Sequence, residues 1–317
     1  MPRAKKSLRN KNEILGMNQR NADFLLPRNP RHLYPLVDNK LQTKKLLEAH
    51  SIPTPHLYFE FRYEHEIKAL RALKNLKEFV IKPACGAEGR GILVIVDRDE
   101  GGDTWEKASG EKISRDHIEY HISNILAGLY SLGGIRDHAF IEYCVHSHPV
   151  FSTVAYRGVP DIRTIIYRGI PVMAMLRLPT KQSDGKANLH QGAIGVGINL
   201  SDGVTKHAVH KNKYIDRHPD THEPVFGITI PFWREILNIA VKIPDIFALG
   251  YIGVDFVIDA KLGPLILELN ARPGLSIQLA NHRGLLTCLK AIDDHGREVE
   301  TYSHEQRIAL AQEIASF

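Results

Sequence analysis

Residues 251–274 read YIGVDFVIDAKLGPLILELNARPG, two apolar runs interrupted by three polar side chains: Asp255 in the first run, Glu268 and Asn270 in the second. β-Branched and aliphatic runs flanking a turn with Gly263 and Pro264 predict a hairpin. Closing that hairpin symmetrically across residues 260–263 sets Asp255 opposite Glu268, and the two-residue strand period puts Glu268 and Asn270 on one face. Opposed carboxylates lie about 4.5–5.5 Å apart at Cβ and destabilise the pair unless positive charge sits between them. A hard cation is the simplest source: two carboxylates and an amide oxygen suit Mg²⁺, which keeps its other positions for water and phosphate oxygens. The alternative is an amphipathic hairpin with its acids in water, and the apolar residues around the acids argue against it. Arg272 adds a fixed cation just beyond the second run, where Pro273-Gly274 stops the strand.

A second stretch with chemical potential is EFVIKPACGAEGRGILVIV, residues 78–96, which reads as strand, glycine loop, strand. Gly86, Gly89 and Gly91 let the backbone fold closely over an anion, where exposed N–H groups meet phosphate oxygens. Lys82 lies on the entering strand. The loop joins two strands and does not open a helix, so it fits neither the P-loop nor the dinucleotide fingerprint. Taken alone, it is equally a plain glycine-rich hairpin. Few apolar residues anchor residues 84–91, which are expected to be mobile without a nucleotide.

The elements that must position these groups follow from periodicity. Asp38 is expected to cap a helix over NKLQTKKLLEA, with Lys40 in its first turn and Leu41, Leu46 and Leu47 on one side, ended by SIPTP. Short patterns predict a strand over 57–61 and a helix over 64–73. Residues 114–132 carry Ile118, Ile122, Ile125, Leu126 and Leu129 at helical spacing, read as core. A continuous apolar strand follows at 139–145, with Glu142 as its exception. Two strands then turn at Arg168-Gly169 and carry Asp161, Arg163 and Arg177, and a glycine-rich strand is headed by Asn188 and His190. Helical patterns at 229–249, interrupted at Pro244, and at 277–291 and 304–316 complete the chain. The cluster Phe24, Leu25, Leu26 and the Pro-rich run after it suggest an ordered arm over residues 1–37 lying on a domain.

Composition bounds the rest. A chain of 317 residues and 35.7 kDa with 43% hydrophobic residues builds a substantial core in one large or two closely packed domains. Forty-one Lys+Arg against 36 Asp+Glu give a net charge of +5 and a pI near 9.0, which favours anionic ligands without naming one. Three widely spaced cysteines suggest neither a disulfide framework nor a zinc cluster, and the chain reads as cytoplasmic. Cys85, beside the loop, reads as a small packing residue, not a nucleophile. The 17 histidines lack HExxH-type zinc spacing. No apolar run approaches the ~20 residues that span a bilayer, so no membrane is expected. The basic start, MPRAKKSLRNKN, reads as a solvated tail more readily than a nucleic-acid arm, because aromatic interleaving is absent.

The ordered set DNKLQTKKLL, VIKPACGAEGRGI, FIEYCV, DIR, NLHQGA, GVDF and ELNARPG resembles the ATP-grasp superfamily, most closely the RimK-like α-L-glutamate ligases, over roughly residues 38–285. The resemblance implies an α/β (α+β) fold in which two lobes clamp ATP, here 38–140 with the glycine loop and 141–317 with the metal-binding hairpin. By resemblance, Lys40 and Lys82 face the nucleotide phosphates under the glycine loop. Glu142 and Tyr143 lie in the segment whose backbone recognises adenine, Asp161 is the ribose-side acid, and Asn188 is the polar residue of the NLH motif. Asp255, Glu268 and Asn270 match the metal ligands, which implies two ions, Mg²⁺ or alternatively Mn²⁺. Only 37 residues precede Asp38, so part of the usual N-terminal substrate platform is absent or comes from a partner protein or a second copy, and Gln191 stands where an arginine is common.

The activity so implied is ATP-dependent ligation of a carboxylate to an amine, glutamate or a similar amino acid joined to a peptide, protein or small-molecule acceptor. Each lysine about 4 Å from a phosphate charge contributes roughly 4 kcal/mol at an effective dielectric of 20, before desolvation. Lys82 is expected to take part in catalysis, and Arg177 and Arg272 are candidate donors to the tetrahedral oxyanion. A phosphotransferase that stops after phosphoryl transfer, including a sugar-associated type, and a non-catalytic nucleotide-binding regulator are the alternatives.

Overall fold

The computed structural model describes residues 13–73, 76–86, 89–99 and 103–315. The expectations placed on the basic tail (1–12), on residues 87 and 88 of the glycine loop and on the helix end at 316 lie outside these. Two compact units emerge: Asp38–Lys45 with Thr54–Val145, and Met1–Val37 with Leu46–Pro53 and His146–Phe317. Residues 13–37, expected as an arm, thus fall in the unit that carries the organising hairpin. No helix among the described residues is long and apolar enough to cross a membrane.

The unit around 54–145 is built on one sheet of β1 (Leu57–Phe61), β2 (Phe79–Pro83), β3 (Leu93–Arg98), β4 (Thr104–Lys107), β5 (Lys112–Ser114) and β6 (Ala139–Glu142). Their order is β1-β6-β2-β3-β4-β5, every pairing antiparallel. Strand alternation sorts the side chains. Phe79, Ile81, Ala139 and Ile141 share a core with the helix Arg115–Leu126 through Ile118, Ile122, Ile125 and Leu126. Ser114 caps that helix by accepting from the His117 N–H. Leu129, expected in this core, is 65% exposed because the helix ends at Leu126 and the chain turns away. On the opposite face, Phe140 packs with Leu41 and Ala84, and Lys82 and Glu142 lie among them by the same alternation. The helix over Lys40–Ala49 is capped by Asn39, not Asp38: its Oδ1 accepts from the Gln42 N–H at 3.0 Å, while Asp38 ends the preceding turn Pro35–Asp38.

The other unit holds β7 (Asp161–Tyr167), β8 (Ile170–Leu178), β9 (Ile194–Ile198), β10 (Thr205–His210), β11 (Lys213–Ile215), β12 (Tyr251–Asp259) and β13 (Gly263–Asn270), in the order β11-β10-β9-β8-β7-β12-β13. All pairings are again antiparallel. Ile162, Ile166, Leu176, Val254 and Phe256 face one core with the helices Trp233–Ala240 and Ile243–Phe247; the break falls at 241–242, and Pro244, expected to interrupt the pattern, sits in the first turn of the second helix. Ile165, Tyr167, Met173, Met175 and Tyr251 face a second core with Leu285–Asp294. The arm joins this second core through Leu15, Phe24 and Leu25, while Leu26 is 49% exposed.

The helix expected over 277–291 is broken into Ile277–Ala280 and Leu285–Asp294. Its first piece lies against β9 where Gly197 allows close approach: a Cβ there would stand 2.6 Å from the Ala280 carbonyl oxygen and 2.8 Å from the Asn281 Cα. Backbone cannot retreat as a side-chain tip can. Gly197→Ala is therefore expected to cost about 1–3 kcal/mol, read as a lower urea midpoint at unchanged slope.

Candidate functional site

The hairpin of β12 and β13 reaches its expected register by an unexpected route. Three residues, 260–262, close the loop, with Asp259 opposite Gly263. The Asp259 carboxylate shapes this turn by accepting from the N–H groups of Lys261 and Leu262 at 2.8 and 2.9 Å. A one-residue shift then occurs on β13, where Asp255 and Phe256 face Glu268 and Ile266, leaving Leu267 as the extra residue. The bulge restores the opposition of Asp255 to Glu268 and of Gly253 to Asn270. It also lifts Leu267 partly out of the core, while Leu269 stays buried.

Asp255 has positive charge on its other flank. Across β7 it pairs with Arg163, whose Nε donates to Oδ1 (2.7 Å) and Nη2 to Oδ2 (2.5 Å). Arg177 pairs with Asp161 across β8 and β7; its Nη2 donates to Asp161 Oδ2 (2.6 Å) and Asp255 Oδ2 (2.7 Å), and its Nε to Asp161 Oδ1. Asn270 Nδ2 completes the cluster with a 3.3 Å bond to Asp255 Oδ2. Burial pushes the Asp255 carboxyl up, but Arg163 and Arg177 outweigh it and hold it below the usual carboxylate range. Asp161 goes the other way: burial pushes it up to about 6, with Arg177 opposing and the Asp255 charge adding. Burial works against the Arg177 charge, and the two aspartates more than compensate, so it stays protonated.

This cluster fits a divalent cation on its own chemistry. Three carboxylates, Asp161, Asp255 and Glu268, face two guanidiniums, leaving one negative charge unmatched. Glu268 is half-buried and accepts no hydrogen bond among the described residues, so both its oxygens remain open, with the Arg177 charge nearby. Among the described residues Asp255 Oδ1 receives one donor, which leaves it a further lone pair. The two other expected residues of this unit make their contacts elsewhere. Asn188 Oδ1 accepts from the His190 N–H at the head of the turn Leu189–Gln191, and the exposed Arg272 guanidinium lies 5.0 Å over the Tyr34 ring.

The unit around 54–145 has a second charged cluster. Glu142 is 3% exposed and bridges Lys82 (2.5 Å) and Lys44 (2.9 Å). Lys44 was absent from the sequence-based set, although it lies one helical turn after Lys40 and so on the same face. Its Nζ also donates to the Pro55 carbonyl. Lys40 Nζ donates to the Gly86 carbonyl at 2.6 Å, and its N–H to Ala84 O. The entry to the glycine loop is fixed by Asp137, whose carboxylate accepts from the Cys85 N–H at 3.0 and 3.1 Å. Its far side is held by His121, whose Nε2 donates to Gly91 O at 2.9 Å; burial pushes the His121 pKa down. Gly89 lies in the left-handed region at φ 72°. The Tyr143 N–H, expected near adenine, donates to His56 O at 2.8 Å. Cys85 has an exposed surface in place of the expected close packing, yet the part of it that is covered, together with Asp137, pushes its thiol up to about 11, which suppresses the nucleophilic thiolate.

Burial alone would raise the Glu142 carboxyl; Lys82 and Lys44 overcome it and hold it below 4.5. Glu142→Gln leaves two largely buried ammonium groups facing a neutral amide, an expected loss of about 3–5 kcal/mol at pH 7. Because the folded-state pKa is depressed, this stabilisation is present above the ordinary carboxylate value and disappears as pH falls through the lower folded value. Urea unfolding of wild type and Glu142→Gln should therefore converge at acid pH.

Residues 19–294 match the sequence family described as sugar-transfer associated ATP-grasp. No curated protein matches the sequence. Among solved structures, D-cycloserine synthetase DcsG aligns with a TM-score of 0.47 and 14% identity, covering 84% of this chain and 72% of that one. The ATP-grasp ligase PsnB, complexed with a minimal precursor, aligns at 0.44 and 12%, covering 89% and 64%. D-alanine–D-alanine ligase from Bacillus anthracis aligns at 0.43 and 14%, covering 90% and 70%. The chain thus spans less than two thirds of the PsnB chain.

Proposed function

The chain belongs to the sugar-transfer associated ATP-grasp family, and from that membership we propose an ATP-dependent carboxylate–amine ligase that works through an acyl phosphate. The observation that carries this reading is the set of oxygen donors Asp255, Glu268 and Asn270 gathered at one end of a hairpin, with one negative charge left over. Asp255, Glu268 and Asn270 would hold a divalent metal there, and such an ion would supply charge neutralisation for phosphate oxygens. Lys82, oriented by Glu142, retains two N–H donors among the described residues that would serve phosphate oxygens, and Lys40 holds the start of the glycine loop at the Gly86 carbonyl.

In the reaction, a substrate carboxylate oxygen attacks the γ-phosphorus and ADP leaves. An amine nitrogen then attacks the acyl carbon, phosphate leaves, and the amine proton goes to solvent. Arg177 spends Nε and Nη2 on Asp161 and Asp255 and so serves mainly to hold them, which leaves Arg272 as the other candidate for the oxyanion. The substrates in this reading are an amino acid and a peptide, protein or small-molecule acceptor; glutamate as the added residue rests on the motif resemblance alone.

A second reading is favoured by the family's own description: a sugar-associated phosphotransferase using the same nucleotide and metal groups. The two differ in products. A ligase releases ADP and inorganic phosphate only when carboxylate and amine are both present, whereas a phosphotransferase releases ADP with a single hydroxyl acceptor and no free phosphate. A panel of amino acids and sugars assayed for both products separates them.

The two acids of the hairpin should respond differently to loss of charge. Glu268→Gln removes a carboxylate without a hydrogen-bonded partner, so apo stability should change by no more than about 0.5 kcal/mol, while Mg²⁺-dependent stabilisation by ATP disappears. Asp255→Asn strands Arg163 and half of Arg177, with an expected loss of about 3–5 kcal/mol even without ligand. Thermal unfolding of both variants with and without ATP and Mg²⁺ checks the contrast.

A further inference from the structure

The arm touches the hairpin at the residues that follow its last proposed metal ligand. Asn29, 1% exposed, uses its whole side-chain amide: Nδ2 donates to Tyr251 O (2.7 Å) and Ala271 O (3.2 Å), and Oδ1 accepts from the Tyr251 N–H (2.9 Å). The β12–β13 ladder ends at the Gly253–Asn270 pair. Two residues further along β12, Tyr251 would face residue 272, but the chain has already turned out of the sheet. The Asn29 amide takes that position as a substitute peptide group, with one donor and one acceptor in strand-like use.

Arg20 acts one residue pair away. It is 7% exposed, it opens a stretch of i→i+5 helix over Arg20–Leu25, and its Nη1 donates to the Pro273 carbonyl at 2.6 Å. Pro273 lies directly over Gly253, where a Cβ would come within 2.7 Å of the Pro273 Cβ and 3.5 Å of the Asn270 Cβ. Asn270, itself half-buried, is therefore flanked by fixed backbone: the carbonyl of the next residue is held by Asn29, and the strand opposite is covered by a proline that Arg20 fixes. Tyr34 adds its ring beneath Arg272, and its buried hydroxyl has no hydrogen-bond partner among the described residues. The arm is anchored at its start by Gln278, which accepts from the Leu15 N–H (2.8 Å) and donates to Leu15 O (3.1 Å).

We propose that Asn29 and Arg20 are positioning residues that fix the Asn270 side chain for divalent metal, so that the arm is a working part of the nucleotide site. The proposal rests on the metal reading of the hairpin given above. A carbonyl released from either contact lets the 271–273 segment move, and Asn270 turns with it. Supporting residues of this kind typically change metal affinity by about 10- to 100-fold.

The test is calorimetric, on the full chain, with ATP as ligand in EDTA and in Mg²⁺; the ratio of the two affinities is the metal-dependent gain. Asn29→Asp replaces the donor by an oxygen facing Tyr251 O and Ala271 O, and Arg20→Met removes the donor to Pro273. Each is expected to reduce the gain about tenfold while affinity in EDTA is unchanged, and Arg20→Lys is expected to restore most of it. If Asn29→Asp does not fold, the Arg20 pair decides alone. In an Asn270→Ala background neither substitution should have any further effect. An undiminished gain in folded Arg20→Met, or an equal loss in the Asn270→Ala background, overturns the positioning role while leaving the metal reading in place. A gain left at full size by Asn270→Ala overturns the metal role of Asn270, and the positioning role with it.

Discussion

The buried charges on β7, β8 and β12 constrain the unit that carries the hairpin more than any other interaction. Arg163 and Arg177 are largely buried and would be strongly destabilising if left unpaired. Asp161 and Asp255 supply the counter-charges from directly opposite strand positions, which ties strand order, register and electrostatics together. A one-residue slip would send all four side chains to the apolar face shared with Trp233–Ala240. The same network accounts for the different behaviour of the two aspartates. Burial raises both carboxyls; at Asp255 the two guanidiniums outweigh it and the group stays ionised, whereas at Asp161 burial wins over Arg177, with the Asp255 charge adding to the rise.

The Lys44–Glu142–Lys82 cluster solves a similar problem within the other unit. A buried carboxylate between two ammonium groups is fully matched. Lys82 is thereby both structural and available, since one of its three donors is committed and two are not. Such sharing explains why a residue chosen for chemistry also carries stability. It is also why Glu142, which breaks an otherwise apolar strand, is tolerated there at all.

Several features were legible in the sequence for local reasons. Strand period and turn residues suffice to pair Asp255 with Glu268, and the paired apolar runs at 79–83 and 93–98 suffice for the strand–loop–strand reading. The route to the first of these was not legible, because a three-residue loop with a bulge at Leu267 and a symmetric four-residue closure place Asp255 identically. Helix ends were the weakest part. Asn39 and Asp38 are both good caps by residue type, and only the turn Pro35–Asp38 selects Asn39. Leu129 keeps helical spacing from Ile125 although the helix has already ended.

By itself the sequence determined which residue types interrupt which apolar runs: the acids and amide of the hairpin, the lysine entering the glycine loop, Glu142 on its strand, and the motif order that marks the ATP-grasp superfamily but not the family within it. These are properties of spacing within a single element, where a period of two or of 3.6 acts. Partnership across elements was decided by tertiary structure alone. Arg163 compensates Asp255 because β7 lies beside β12, although the two residues are 92 positions apart. Lys44 reaches Glu142 because its helix covers one face of that sheet, and Asn29 completes the ladder at Tyr251 from 222 positions away. Strand order and the return of the chain over a sheet depend on the burial of the whole core, and no local pattern records them.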